Sequence, residues 1–498
     1  MSGYADNYDV VIAGGGTSGV SAAISSARTG AKTLLIERFG TVGGQFNVSG
    51  PPGFTYAMLF SANGERVVGG IVEETHNRLY KAGHALPHLK PKFRTGNGYT
   101  FSYVDPDWWT FLIFDMLEEE GVTLLLDTLV VDAIMEDNTI KGVVVENADG
   151  RNEIRGKVVI DCTGEGYLAA DAGCEMVCVT REECQPHTMA FTVDGVDWDR
   201  FLEYVRKNPD QISYQQLLNP YSDNTPESIK EGYANCTDIR MVGEIMGFYE
   251  LRDMALSNGD WHPYSGAGFF LTPKENGVIQ AHFQHSSQVD KCLPTDAWDI
   301  TRCIIECRKQ NQIAWRFWKN YVPGFEHAYI TKQCTELRVR EGPRIVGDYV
   351  LNYHDIVDTS EFDDNIGRGS FTAGAIHVAS MDTLNVNEDE ENPNPAVSTQ
   401  TASVTMGFPK DGGSYGIPYR CLVPKKVENL LVAGKAASTD RSAYLRYVHQ
   451  TMITGQAAGV AAALCALKGK TPRSLEGDVS ELQSTLLEQG AILYRPNA

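Results

Sequence analysis

None of the 11 cysteines forms a C-x-x-C pair. The cysteine tetrads that hold iron–sulfur clusters or structural zinc are therefore missing, and no metal site is expected. Cys174 and Cys178 are spaced C-x-x-x-C. An odd, scattered set without a secretory leader reads as reduced thiols, several of them buried. Positive charge is also short: 43 Lys and Arg stand against 64 Asp and Glu, a net charge of −21. Phosphate recognition needs clustered cations, which weighs against nucleic acid and an anionic membrane surface as partners. Residues 1–7 carry acids rather than a basic region before an apolar core, so no leader is expected. No run approaches about 18 apolar residues, and no membrane span is expected. No G-x-S-x-G elbow supports a hydrolase. What remains is a cytoplasmic, acidic protein of 498 residues, long enough for about three average domains or for fewer, larger α/β ones.

Glycine is plentiful and specifically placed. Residues 9–13 are a short apolar run, the right length for a buried strand. Gly14, Gly16 and Gly19 then give G-x-G-x-x-G, with Thr17 and Ser18 inside it. Residues 20–29 read as a small-residue helix ended by Gly30. Residues 33–36 read as a second strand with Glu37 at its carboxyl end. Together these make a βαβ dinucleotide-binding unit. Gly14 permits the tight turn, Gly16 lets a pyrophosphate approach the backbone, and Gly19 lets helix and sheet pack closely. The helix N-terminus offers N–H groups and partial positive charge to phosphates. Glu37 can accept hydrogen bonds from ribose hydroxyls and disfavours a 2′-phosphate.

Arg38, Gly43, Gly44 and Gln45 follow, a loop suited to backbone passing close to a bound dinucleotide. Residues 54–100 read as an excursion with one helix at 69–83. A helix is expected over 107–121 and strands over 122–126, 129–136, 139–147 and 153–160. Gly164, Gly166 and Ala169 offer a rival G-x-G-x-x-A. The elements before them form a β-meander rather than βαβ, so the preferred reading returns this strand to the first sheet and lays Thr163 and Gly164 against the first site. Strands of a second sheet are expected over 188–193, 269–272 and 277–285, and a long helix over 299–321. Further strands are expected at 345–351 and 365–370. Residues 381–413 read as a lid or a solvated insertion. Residues 430–433 read as another buried strand, 451–468 as a small-residue helix, and 475–492 as a helical tail. The expected fold is α/β: a Rossmann-like domain with parallel sheet and β-meander (1–175 with an excursion at 46–106, resumed at 421–470), a mixed-sheet substrate domain (176–420), and a tail (471–498).

The ordered set of Gly14 to Gly19, Glu37, Gly43 and Gly44, Asp161 to Gly166, Arg340 and Glu341, Arg344 to Gly347, Tyr415 to Arg420, Asn429 to Gly434 and Gly455 to Gly459 resembles bacterial FAD-dependent oxidoreductases of the glutathione-reductase-like superfamily. Within it, the likeness is to the subgroup related to the heterodisulfide-reductase flavin subunit and, more distantly, to fumarate-reductase flavoproteins. The resemblance implies extended FAD, its phosphates at Gly14–Gly19 and its adenosine ribose at Glu37. It further implies Val130 at the adenine, Gly434 near the ribityl–pyrophosphate region, and a helix start near Thr451 and Gly455 aimed at the flavin pyrimidine. A helix N-terminus there would stabilise the negative charge of reduced flavin. Lys435 stands where many relatives carry Asp. The iron–sulfur ligands of the related flavin subunit are absent, so its electron-bifurcating role does not carry over.

Chemistry is expected between the two sheets, over the flavin ring. Asn47 and Ser49 are candidates to line it. Arg338, Arg340 and Arg344 either meet a substrate carboxylate or proton, or form a structural ion-pair cluster with Glu336 and Glu341. His449, just ahead of the proposed flavin-facing helix, is a candidate general base. His377 is a second candidate from the other domain. His282 and His285 face opposite ways on one strand, which argues against a metal pair. Tyr415 and Tyr419 either cover the flavin or pack. The leading reading is hydride transfer between a small organic substrate and flavin N5, leaning to oxidation of a C–H bond beside O or N. Reduction of an activated C=C bond with Arg340 as proton donor, an electron-transfer subunit, and an NAD-binding protein without flavin are the alternatives. An electron-acceptor protein or O2, and a homo-oligomer, are left open.

Overall fold

The computed structural model describes residues 4, 7–50, 56, 59–88, 102–212, 225–241, 244–262, 267–374 and 407–495. Continuous apolar runs form strands where both faces of a sheet are covered. β1 (Asn7–Ala13) and β2 (Thr33–Ile36) are such runs, and they pair in parallel with Ala13 opposite Ile36. β3 (Thr123–Leu125) extends the sheet beyond β2. β4 (Leu129–Glu136), β5 (Thr139–Asn147) and β6 (Gly150–Asp161) form an antiparallel meander. β6 carries both halves of the architecture. Its first half pairs with β5, while its second half lies parallel to β1, Asp161 opposite Ala13. The other side of that second half, which β5 does not reach, is taken by Leu430–Val432, parallel to β6 and drawn from the far end of the chain. The rival glycine turn after β6 thus abuts the first glycine loop instead of opening a second βαβ unit.

The first helix, Thr17–Arg28, begins three residues before its expected start, because Gly16 is already the extended cap residue and Ser18 and Gly19 are helical. The core helix, Val448–Lys468, likewise begins before Thr451. With a mean hydropathy of 1.2 it is long and apolar enough to cross a membrane, against the expectation that no such run exists. Polar residues such as Gln450, Thr451, Thr454 and Gln456 hide it from a search for unbroken apolar runs. In the fold 94% of its most apolar window is buried inside the protein, as for the core helix of a globular domain.

The two helices cross where side chains vanish. A Cβ on Gly455 would run into the Ser18 carbonyl oxygen, and one on Gly459 into that of Ala22. The Thr17 and Thr451 hydroxyls hydrogen-bond at 2.7 Å across 434 residues of sequence. The excursion supplies the helix Gly70–Lys81, and the helix that follows it, Pro106–Glu119, stacks Trp109 on Phe46 at 4.2 Å between ring centres.

The second sheet is antiparallel, in the order Tyr329–Gln333, Phe191–Asp194, Ile279–Phe283, Gly268–Pro273, Glu244–Met246. Its first and last strands were not foreseen. The long helix Ala297–Tyr321 packs Trp318 against Phe269, Phe283 and Phe325 on this sheet. The strand expected over 345–351 shrinks to Arg344–Ile345, paired with Met176–Val177. Asn365–Gly369 pairs with Tyr415–Pro418. The tail is a short turn of 3-10 helix, Pro472–Gly477, followed by Ser480–Glu488. Most of the expected 381–413 segment lies outside the described residues.

Gly455→Ala should therefore prise the two helices apart. Overpacking of this kind costs about 1–3 kcal/mol, and denaturant unfolding of the purified protein measures it.

Candidate functional site

The glycine loop after β1 has the shape of a phosphate cradle. Gly14 holds φ +98, and a Cβ there would lie 2.5 Å from the Cys162 carbonyl oxygen. A Cβ on Gly19 would run into the Gly14 carbonyl. At Gly16 the opposite holds: a Cβ would meet nothing within 4 Å. The loop is thus tight where it must turn and open where a ligand must approach, at the N-terminus of a helix. Thr17 and Ser18 form the first turn, with Ser18 buried against Gly434. These residues fit a dinucleotide pyrophosphate.

Glu37 is buried, and one carboxylate oxygen accepts from the Gly15 N–H at 2.6 Å while the other accepts from Phe39 at 3.0 Å. Burial raises its pKa, and those backbone N–H groups oppose the rise. The Gly43 N–H donates to the Gly15 carbonyl at 2.8 Å, and Gly44 backs directly onto Gly16. This second loop therefore walls the first. Arg38 and Gln45 point outward: Arg38 pairs with Glu336 at 3.4 Å, and the Gln45 amide donates to the Val339 carbonyl at 3.0 Å. Val130 sits at a bulge in β4, partly buried beside the β5 edge.

After β6, the fully buried Asp161 accepts from the Thr163 N–H and hydroxyl at 2.9 and 2.8 Å, and from the Ala169 N–H at 2.8 Å. Burial raises its pKa. Gly164 lies above Lys435, whose ammonium pairs with Glu165. The Lys435–Glu165 pair thus links two glycine turns. The Gly434 N–H donates to Thr454 Oγ1 at 3.0 Å, which ties this turn to the core helix.

Gly455 requires a correction. It lies well inside the core helix rather than at its start, and its bare Cα serves the helix crossing. The first-turn N–H groups belong to Val448, His449 and Gln450, which have no intrahelical acceptor. Gln450 reaches back to the Tyr447 N–H at 3.3 Å and bonds Tyr415 Oη at 3.2 Å. Tyr419 instead donates to the Pro472 carbonyl at 2.9 Å, a packing role. Asn47 spends its amide on Thr41 and Val42 of its own loop and on Thr110 of the helix Pro106–Glu119. Ser49 is buried against the Leu337 carbonyl.

His449 is thus inside the first turn rather than ahead of it. It is 1% exposed, and neither ring nitrogen has a hydrogen-bond partner. Burial alone pushes its pKa down to about 3. His377 lies outside the described residues. Of the three arginines, Arg344 is structural: it pairs with Glu341 at 3.8 Å and donates to the Thr439 carbonyl. Arg338 and Arg340 lie apart, both 7% exposed. The Arg340 backbone N–H donates to His187 Nδ1 at 3.2 Å, and Arg446 donates to the Arg340 carbonyl at 3.1 Å. Burial and then Arg446 and Arg338 push the Arg340 pKa down. His282 bonds the Thr192 hydroxyl at 3.1 Å. His187, Arg446 and Glu165 were not singled out from sequence, since their relevance depends on which loops meet.

The family described as FAD dependent oxidoreductase matches residues 9–486. Protein FixC of Salmonella typhi is 29% identical over 184 residues, 33% of this chain and 39% of that protein. A digeranylgeranylglycerophospholipid reductase of Thermoplasma volcanium is 24% identical over 180 residues, 36% of this chain and 45% of that protein. The chain spans less than half the length of these curated relatives. A solved geranylgeranyl bacteriochlorophyll reductase-like structure from Thermoplasma acidophilum covers 97% of this chain and 87% of its own, at 13% identity and TM-score 0.43. With the family match running from β1 to the tail helix, and a cradle shaped for a dinucleotide, this chain belongs to the FAD-dependent oxidoreductase family and is an enzyme whose cofactor is FAD.

Proposed function

We propose that this enzyme moves a hydride between a small organic substrate and the flavin, oxidising a C–H bond beside oxygen or nitrogen. The observation that carries the reading is His449, an unpartnered, buried imidazole in the first turn of the core helix. Bound in the cradle, FAD supplies the hydride acceptor. Gly14, Gly16, Gly19 and the first-turn N–H groups hold its phosphates, Glu37 its ribose, and Gly434 and Thr454 the turn facing the core helix. His449 stays neutral and so is ready to take the substrate's O–H or N–H proton. A dry imidazole is a weak base in isolation; an anion entering the pocket raises its pKa toward the working range.

A second reading, reduction of an activated C=C bond, is favoured by Arg340, whose lowered pKa makes it a readier proton donor, and by the partial likeness to proteins named reductases. Its unpaired cysteines support a cytoplasmic site of action, where thiols stay reduced.

The test is anaerobic reduction of the bound flavin by a panel of metabolites, with no partner protein present. Bleaching by a small molecule alone is the expected result; bleaching that requires a second protein points to an electron-transfer subunit. With the reducing metabolite in hand, His449→Ala should slow flavin reduction about 100-fold or more while FAD content is retained. An unchanged rate removes the base assignment.

Stability should depend on acid. Burial holds His88, His187 and His449 each down to about 3. In the unfolded chain they bind protons near pH 6.5. Between these values the unfolded state holds more protons, so stability falls as pH falls, by about 2 kcal/mol per histidine at pH 5. Unfolding midpoints at pH 7.5 and pH 5 measure the loss, and His449→Asn should reduce it by about 2 kcal/mol.

A further inference from the structure

The segment carrying Arg338 and Arg340 alternates its faces. Leu337 and Val339 turn into a small apolar cluster with Met189, Val289, Cys292, Cys303 and Cys307. Arg338 and Arg340 therefore point to the other face. The Arg338 N–H donates to the Thr188 carbonyl at 2.7 Å, so the two residues are cross-strand partners and their side chains stand together. The Arg338 guanidinium is anchored at one end only. One terminal nitrogen donates to the Gly50 carbonyl at 2.5 Å and the other to Gln284 Oε1. Its Nε, on the remaining edge, has no partner. Thr188 Oγ1 beside it and Ser286 Oγ, two residues past Gln284, are also buried without partners.

No carboxylate among the described residues pairs with Arg338. The neighbouring acid Glu341 is taken by Arg441 at 2.8 Å and Arg344 at 3.8 Å, and Glu165 by Lys435. Arg446 adds a third guanidinium next to Arg340. A buried cation without an anion is costly, and a chain of net charge −21 has no shortage of acids to supply one. Burial lowers the Arg338 pKa to about 10, with Arg446 pushing in the same direction, as expected of a cation waiting for its counter-ion.

We propose that the substrate bears a carboxylate, held at the unpartnered Nε edge of Arg338 with the Thr188 hydroxyl beside it and the Arg446 charge nearby. The flat edge of a guanidinium matches the two oxygens of a carboxylate. This rests on the reading of the pocket as the redox site and gives its substrate a chemical class.

The test is calorimetric titration of the FAD-loaded enzyme with acetate, succinate and inorganic phosphate, alongside the visible flavin spectrum. A carboxylate should bind, and Arg338→Met should weaken it about 30-fold or more, with FAD content unchanged. Thr188→Val, which removes an unpartnered hydroxyl at nearly constant shape, should weaken it several-fold. Equal carboxylate affinity in the parent and Arg338→Met, or binding of phosphate in preference to both carboxylates, overturns the proposal. So does an Arg338→Met that shifts the flavin midpoint potential while leaving carboxylate affinity alone, which would assign the arginine to the flavin. Should Arg338→Met not fold, Thr188→Val decides: unchanged affinity overturns. Flavin reduction by an uncharged metabolite would sink the carboxylate and leave hydride transfer standing. Carboxylate binding without any flavin reduction would do the reverse.

Discussion

The crossing of the first helix and the core helix is the constraint on which the rest depends. The contact is backbone to backbone: Gly455 and Gly459 lie on the carbonyls of Ser18 and Ala22, and Thr17 meets Thr451. Close approach of this kind needs residues without side chains on one helix and small ones on the other. Ser18, Ala22 and Ser25 supply the second requirement. The result fixes two helix N-termini side by side, one at the glycine loop and one at His449. A long dinucleotide laid between them meets partial positive charge at both of its anionic parts.

The sheet enforces the same geometry from below. β6 is held by β1 on one side and by Leu430–Val432 on the other, so the turns that end all three strands emerge at one edge. Gly14, Thr163 and Gly434 lie on those turns. Ligands of open parallel sheets bind beyond the carboxyl ends of the strands, and here three such ends are brought together by pairing alone.

Much of this was legible in the sequence because it rests on patterns that have few other uses. Runs such as 9–13 and 430–433 are too short for core helices and too apolar for loops. Glycines at 14, 16 and 19 after such a run leave little choice of turn. The helix starts were misplaced because Ser18, Gly19 and Gln450 look like loop residues until packing is known. The outer strands of the second sheet were invisible because Tyr329–Gln333 is largely solvent-facing and carries no apolar alternation. The arginines could not be sorted from sequence. Arg344 and Arg338 differ in which neighbour each meets, Glu341 or an open edge, and spacing does not record that. Likewise the reading of Gly455 as a flavin contact confused a glycine needed for helix contact with one needed for a ligand.

The route of the chain through the first sheet also governs when the molecule can assemble. β1 is made long before the strand that completes its sheet and the helix that covers its glycine loop, which come from residues 430–468. Until those residues leave the ribosome, the apolar face of Thr17–Arg28 has no cover and the cradle has only one wall. Such long-range closure is slow and leaves sticky intermediates exposed. A coenzyme in this cradle would accordingly wait for residues 430–468, and its arrival would fasten together two segments translated far apart in time.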